Sequence, residues 1–203
     1  MKIFTLDVGY LGTNCYALTN DGYAVLIDPG DGFSKIVGFL ERENLTLKAV
    51  FLTHGHFDHI GAVNSLKEKY NIPVYIHKAD FEMAKNPVLN SSYDFGGPEI
   101  FCDPDVFYED GEMVSLIGEN FEIIHTPGHT EGGVCIKSGD SIFTGDTLFF
   151  GSIGRTDLYK GNYETLMNSL KKLMALDGDY KVFPGHGEAT TLNYEKNKNP
   201  FLR

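Results

Sequence analysis

One six-residue window limits what this chain can build. His54, His56, Asp58 and His59 all fall within T-H-G-H-F-D-H, directly after the apolar run K-A-V-F-L-T. His54 and His56 are two apart, and in an extended segment that spacing points both rings to the same side. Gly55 lets the backbone turn tightly between them. Asp58 and His59 follow as the chain bends into a helix, so they face a second point close by. Imidazole and carboxylate together suit zinc, iron or manganese, and a loop of this kind offers two adjacent cation positions.

Further candidates recur where strand-like runs end. His129 follows Pro127 and Gly128 after F-E-I-I-H-T, Asp146 closes S-I-F-T-G-D, and His186 follows Y-K-V-F-P-G. Sites gather at such places because loops converge there while the strands fix their positions. Each signal is ambiguous alone: a carboxylate capping a loop explains Asp146 as readily as a ligand does. Jointly, five histidines and two aspartates suit two metals that share a bridging carboxylate. His125 lies inside an apolar strand and reads as a core histidine or one that orients a ligand. His77 precedes a helix and reads as a local cap or packing residue.

The intervening pattern is that of an α/β chain. Near the N-terminus, the β-type runs KIFTLDV, NCYALTN and YAVLIDPG are bounded by Gly, Asn or Asp. Phe33, Ile36, Val37 and Leu40 have helical spacing, which predicts a helix over 33–44 with Ser34 near its start. KAVFLT reads as a buried strand. A helix over 59–70, a strand at PVYI and a short helix over 78–85 follow. Residues 86–105, with Pro87, Gly96, Gly97, Pro98 and Pro104, predict a long irregular loop, read as a flap over a site. The second half carries strands at DVFYE, FEIIHT, GVCIKS and SIFTGD, a helix over 163–176, a strand at YKVFP and a helix within 190–199. Clustered strands with separated helices predict helical layers outside β-layers. Nothing resembling a linker interrupts the pattern, so 1–203 reads as a single domain.

Charge narrows the partners. Seventeen basic against 28 acidic residues give a net charge of −11. That disfavours nucleic acid, whose binders need a basic surface, and anionic membranes. No apolar run approaches the roughly 20 residues of a membrane span. The start, MKIFTLDVGY, lacks the apolar centre of a signal peptide, so a cytoplasmic location is expected. Cys15, Cys102 and Cys135 are odd in number and without metal-type spacing, and they read as small apolar residues with free thiols. No G-x-S-x-G elbow supplies a serine nucleophile.

Thr53–His59 (THGHFDH), Thr126–Thr130 (TPGHT), Phe143–Phe149 (FTGDTLF) and Pro184–Gly187 (PGHG), in this order, make the chain resemble the metallo-β-lactamase-fold hydrolases. The resemblance spans almost the whole sequence. It implies an αβ/βα sandwich of two mixed sheets with outer helices and a metal cleft between the sheets. It also implies His54, His56 and His129 on one metal, Asp58, His59 and His186 on a second, and Asp146 bridging them. Zinc is the metal expected first, with iron or manganese as alternatives.

Within that superfamily, Gly145–Asp157 (GDTLFFGSIGRTD) is most similar to the compact bacterial glyoxalase II type. This implies hydrolysis of S-lactoylglutathione, or a related hydroxyacyl thioester, by a hydroxide held between two divalent metals, with Asp58 orienting it. The longer enzymes of the type carry a C-terminal helical domain with basic residues for glutathione, and this chain ends at Arg203 without those contacts. Glu188 stands where they carry a tyrosine, and Asp157 falls near the place of another. Arg155 aligns with a basic position near glutathione, which implies a substrate contact; a structural ion pair with a neighbouring acid is the other reading. A mononuclear iron persulfide dioxygenase also resembles the chain through Gly154–Asp157, and a lactonase or other ester hydrolase would use the same chemistry.

Overall fold

The computed structural model describes residues 1–95 and 99–202. Gly96, Gly97 and Pro98, which belong to the loop expected over 86–105, and Arg203 lie outside the described residues. One sheet runs in the order β1 (Lys2–Val8), β2 (Thr13–Asn20), β3 (Tyr23–Ile27), β4 (Thr46–Phe51), β5 (Val74–His77), β6 (Val106–Tyr108). Its first three strands are antiparallel, and β3 to β6 are parallel. The second sheet holds β7 (Met113–Leu116), β8 (Glu119–His125), β9 (Val134–Ser138), β10 (Ser141–Gly145), β13 (Lys181–Pro184) and β14 (Thr190–Thr191). Its order is β14-β13-β10-β9-β8-β7, and β10 and β13 are parallel. A short hairpin, β11 (Leu148–Phe149) and β12 (Ser152–Ile153), stands apart.

The two-residue side-chain period of each strand explains the layering. In β3, Ala24 and Leu26 face one apolar cluster with Ile36, Phe39 and Leu40 of α1 (Phe33–Arg42) and Val63 and Leu66 of α3 (Val63–Tyr70). Val25 and Ile27 point the other way. They join Phe51 of β4 and Phe121, Ile123, Ile136 and Phe143 of the second sheet in an inter-sheet core. Ile124, Cys135 and Ile142 leave that sheet's outer face against Leu166, Leu170 and Leu173 of α5 (Tyr163–Met174) and Leu192 of α6 (Leu192–Lys198). The result is the helix–sheet–sheet–helix sandwich expected from the sequence.

Three local expectations change. The helix expected over 59–70 is two helices, α2 (Phe57–Ile60) and α3. The break falls where the chain meets the loop after β3: Ala62 N–H donates to Pro29 O at 3.0 Å, and a Cβ on Gly61 would lie 2.2 Å from Gly30 O. The helix expected over 78–85 is a 3-10 turn, Lys78–Asp80, followed by α4 (Phe81–Lys85). The strand β7 was not expected at all. Among the described residues, no helix is long and apolar enough to cross a membrane. Cys15, Cys102 and Cys135 are buried free thiols.

Candidate metal centre

Every candidate ligand sits just beyond the C-terminal end of a strand. His54 and His56 follow β4, and Asp58 and His59 ride on the single turn of α2. His129, Asp146 and His186 follow β8, β10 and β13. These three strands run the same way, since β9 lies antiparallel to both β8 and β10 while β13 is parallel to β10, so their C-terminal ends share one edge. The two sheets are latched there. Val134 N–H donates to Thr53 O at 2.8 Å, Asn14 N–H donates to Gly185 O at 2.8 Å, and the Tyr16 hydroxyl donates to Pro184 O at 2.6 Å. The latch leaves Gly185 no room for a side chain: a Cβ would lie 2.3 Å from Asp146 Oδ1 and 2.7 Å from His59 Cε1.

The side chains gather into two groups. Ligand atoms of His54, His56 and His129 lie within 4.8 Å of one another, as do those of Asp58, His59 and His186. Asp146 stands between them, with Oδ1 3.4 Å from His59 Nε2, and Oδ2 3.5 Å from His129 Nε2 and 3.8 Å from His186 Nε2. Asp58 Oδ2 is 3.1 Å from His186 Nε2 and accepts a hydrogen bond from the Thr13 hydroxyl. The far nitrogens of several rings are already spoken for. His129 Nδ1–H donates to the backbone carbonyl of Arg155 at 2.7 Å. His59 Nδ1–H donates to Asp28 Oδ2 at 2.9 Å. The Thr53 hydroxyl gives its proton to Asp28 Oδ2 at 2.6 Å, so its oxygen accepts from His54 Nδ1–H at 3.0 Å. Each arrangement turns Nε2 inward.

Several atoms of the cluster lack partners, while His56 faces the other rings through Nδ1, 3.0 Å from His129 Nε2. Among the described residues, His54 Nε2, His56 Nε2, His59 Nε2 and Asp146 Oδ1 are buried without a hydrogen bond. Buried polar atoms are almost always paired, so a cluster of orphans at one point is the signature expected of a cation position. Protonation fits as well. Burial, then the neighbouring rings led by His59, holds the His54 imidazole well below its usual value, and burial with His129 takes His56 down to about 3. Both are neutral donors at pH 7. Burial pushes the Asp146 carboxyl up, but His59, His129 and His54 outweigh it and hold the group well below the usual carboxylate range. Burial opposes charge on His59, yet Asp58, Asp146 and Asp28 hold its imidazole well above the usual value.

A match to the metallo-beta-lactamase superfamily model runs over residues 8–186, spanning all of these groups. The chain belongs to the metallo-beta-lactamase superfamily. Two curated relatives align over the whole chain and 98% of their own lengths. One is the probable metallo-hydrolase YqgX of Bacillus subtilis at 39% identity, and the other the hydroxyacylglutathione hydrolase GloC of Haemophilus influenzae at 38%. Among solved structures, the BLEG-1 B3 metallo-beta-lactamase superposes with a TM-score of 0.95 at 38% identity, covering 99% of each chain. TTHA1623 in a di-iron-bound form gives 0.88 at 37%, over 98% of this chain and all of that one. ETHE1 from Myxococcus xanthus gives 0.82 at 30%, over 98% of this chain and 84% of that one.

Around the superfamily's metal centre a pocket of about 270 Å³ opens, walled by Leu11, Phe57, Phe95 and Leu158 and floored by the histidines. Ser91 and Phe95 place the segment 86–95 against this pocket, and Asn90, Ser91 and Ser92 are buried. Arg155 also lines it, with its guanidinium bound through two nitrogens to Asp157 at 2.7 and 2.8 Å. His125 lies outside the centre. It is half-buried rather than a core residue, its ring stacks on His77 at 4.1 Å, and its Nε2 meets Glu131 O at 3.0 Å. His77 caps the following turn by accepting from Ala79 N–H at 3.3 Å. Sequence reasoning missed Asp28 and Thr53. Asp28 closes the strand run YAVLID as Asp146 closes SIFTGD, and that placement was the available signal.

Proposed function

We propose that the chain is a binuclear metal-dependent hydrolase that cleaves a thioester, S-lactoylglutathione or a related hydroxyacyl thioester. The observation that carries this reading is Asp146, whose two oxygens face the two histidine groups from between them. His54, His56 and His129 would hold one divalent cation, Asp58, His59 and His186 the other, and Asp146 would touch both. The donor set suits zinc first, with iron or manganese as alternatives, and the likeness to a di-iron-bound relative keeps iron in play. Cations bound there supply Lewis acidity and lower the pKa of water toward neutrality.

The chain's own groups do the rest. Asp58, steadied by Thr13, orients the attacking water and takes up its proton. The water oxygen bonds to the thioester carbonyl carbon, the carbon–sulfur bond breaks, and the electron pair leaves with sulfur as thiolate. Phe57, Phe95, Leu11 and Leu158 exclude bulk water from that carbonyl, and Ser91 and Phe95 bring the 86–95 part of the expected flap into the pocket's wall. Arg155 meets the thiol's carboxylate when its pair with Asp157 opens. GloC supports the thioester assignment by its name and its end-to-end match. The three buried thiols, the net charge of −11 and a small polar-floored pocket support a cytoplasmic enzyme of a small molecule, without a nucleic-acid or membrane partner.

The competing reading is a mononuclear iron dioxygenase acting on a persulfide. It would leave Asp58, His59 and His186, whose ligand atoms lie within 4.8 Å of one another, without a cation, and that second complete group weighs against it. Elemental analysis of the purified protein, paired with thiol release from S-lactoylglutathione, tests the proposal. Two metals per chain with thiol release support it. One iron, with oxygen uptake on glutathione persulfide and no thioester cleavage, overturns it.

A further inference from the structure

The geometry points to Asp80 as a positioning residue that sets the spacing between the loop carrying His54 and His56 and the loop carrying His129. The inference rests on these three rings forming one cation position. Asp80 ends the 3-10 turn after β5, on the first sheet, and is fully buried. Its carboxylate gathers donors from both loops. Oδ2 accepts from Gly55 N–H at 3.0 Å and from the Thr130 hydroxyl at 2.7 Å, while Oδ1 accepts from Gly132 N–H at 2.6 Å. Gly55 separates His54 from His56, and Thr130 directly follows His129. One side chain therefore ties together, across the two sheets, the segments whose rings approach to 3.0 Å at His56 Nδ1 and His129 Nε2.

The seat is cut for a carboxylate. A Cβ on Gly132 would lie 2.6 Å from Asp80 N and 2.7 Å from its carboxyl carbon, and one on Gly55 would lie 3.0 Å from Asp80 O. The loops close on Asp80 with no slack. All three partners are donors, and only an ionised carboxylate offers acceptors alone; an amide would turn an NH2 toward an N–H. These three partners are all neutral, so no ion pair offsets the desolvation of a buried carboxylate here. A purely structural tie between loops could be made by a neutral side chain at lower cost. What a rigid three-donor clamp adds is a fixed ring-to-ring distance, which is what a cation's coordination shell demands.

The test is zinc binding by the Asp80→Asn and Thr130→Val variants, each in the wild-type background and with His186→Ala. The latter leaves only the His54, His56 and His129 group complete. Zinc affinity is read by competition against a chromophoric chelator, the cobalt-substituted absorption spectrum reports the ligand geometry, and near-ultraviolet circular dichroism reports the fold. Asp80→Asn should weaken zinc at this group by about 10-fold or more and change the cobalt spectrum, with the fold retained. Thr130→Val should weaken it less, in the same direction. A folded Asp80→Asn protein with unchanged zinc affinity and cobalt spectrum overturns the inference. So does a variant set in which the midpoint of thermal unfolding falls while zinc binding to the folded protein stays as in wild type. Should Asp80→Asn fail to fold, Thr130→Val decides by the same two readouts. Wild type that binds no zinc, cobalt or iron overturns the ligand reading itself, a result distinct from the other two.

Discussion

His59 donates its Nδ1–H to Asp28 Oδ2 at 2.9 Å, both side chains buried, and so presents Nε2 toward Asp58 and Asp146. Asp28 also accepts from Thr53 N–H at 2.8 Å and from the Thr53 hydroxyl, so one carboxylate orients His59 directly and His54 through a hydroxyl. Removing it frees both rings. Asp28→Ala should lower cation affinity by about 10- to 100-fold, the usual effect of losing such a partner. Asp28→Asn should lose less, because asparagine keeps one acceptor and tolerates the left-handed backbone found here at φ 51°. Competition titration with zinc checks both.

Asp146 faces both histidine clusters with its two carboxylate oxygens, and His59 is the most enclosed of the seven candidate groups. Asp146→Ala and His59→Ala should each abolish thioester turnover and release metal, read as thiol production and metal content per chain. Full activity in both variants would refute the binuclear reading.

The sandwich and the seven grouped residues were legible because their signals are local. Alternating apolar positions mark strands, and a two-residue spacing of histidines after a buried strand marks a loop at a sheet end. What escaped depends on contacts far along the chain. The partners of Asp80 lie 25, 50 and 52 residues away, and K-A-D carries no trace of them. The break between α2 and α3 comes from the backbone of Pro29 and Gly30, not from any helix-breaking residue in 59–70 beyond Gly61. β7 is four residues long with Met113 and Ser115 exposed, too short for its alternation to stand out. His125 looked like a core residue because its strand is apolar, whereas its ring turns out to meet His77.

Phe51 joins the sheets. It is fully buried, and its ring lies edge-on to Tyr75, Tyr108 and Phe121 at 5.0, 5.9 and 5.2 Å. Phe51→Ala should destabilise the fold by about 3–5 kcal/mol, through lost burial and the cavity left behind. Urea unfolding followed by circular dichroism measures this. Metal content per folded chain should stay unchanged, because Phe51 touches no candidate ligand.

His77 gives the fold a titration of its own. Burial, then the stacked His125, lowers its pKa from 6.5 to about 4, against the pull of Asp110 and Glu131. Between those values the unfolded chain binds more protons at this residue than the folded one, so stability rises with pH there. The contribution is complete above about pH 6.5 and is lost progressively on acidification toward pH 4. Protonation also removes the Nδ1 lone pair that accepts from Ala79 N–H. His77→Asn keeps an acceptor suited to that cap but does not titrate. Wild type should therefore lose more stability than His77→Asn between pH 7 and pH 5 in paired urea unfolding experiments. Equal losses in the two proteins would show that His77 is not held neutral by the fold.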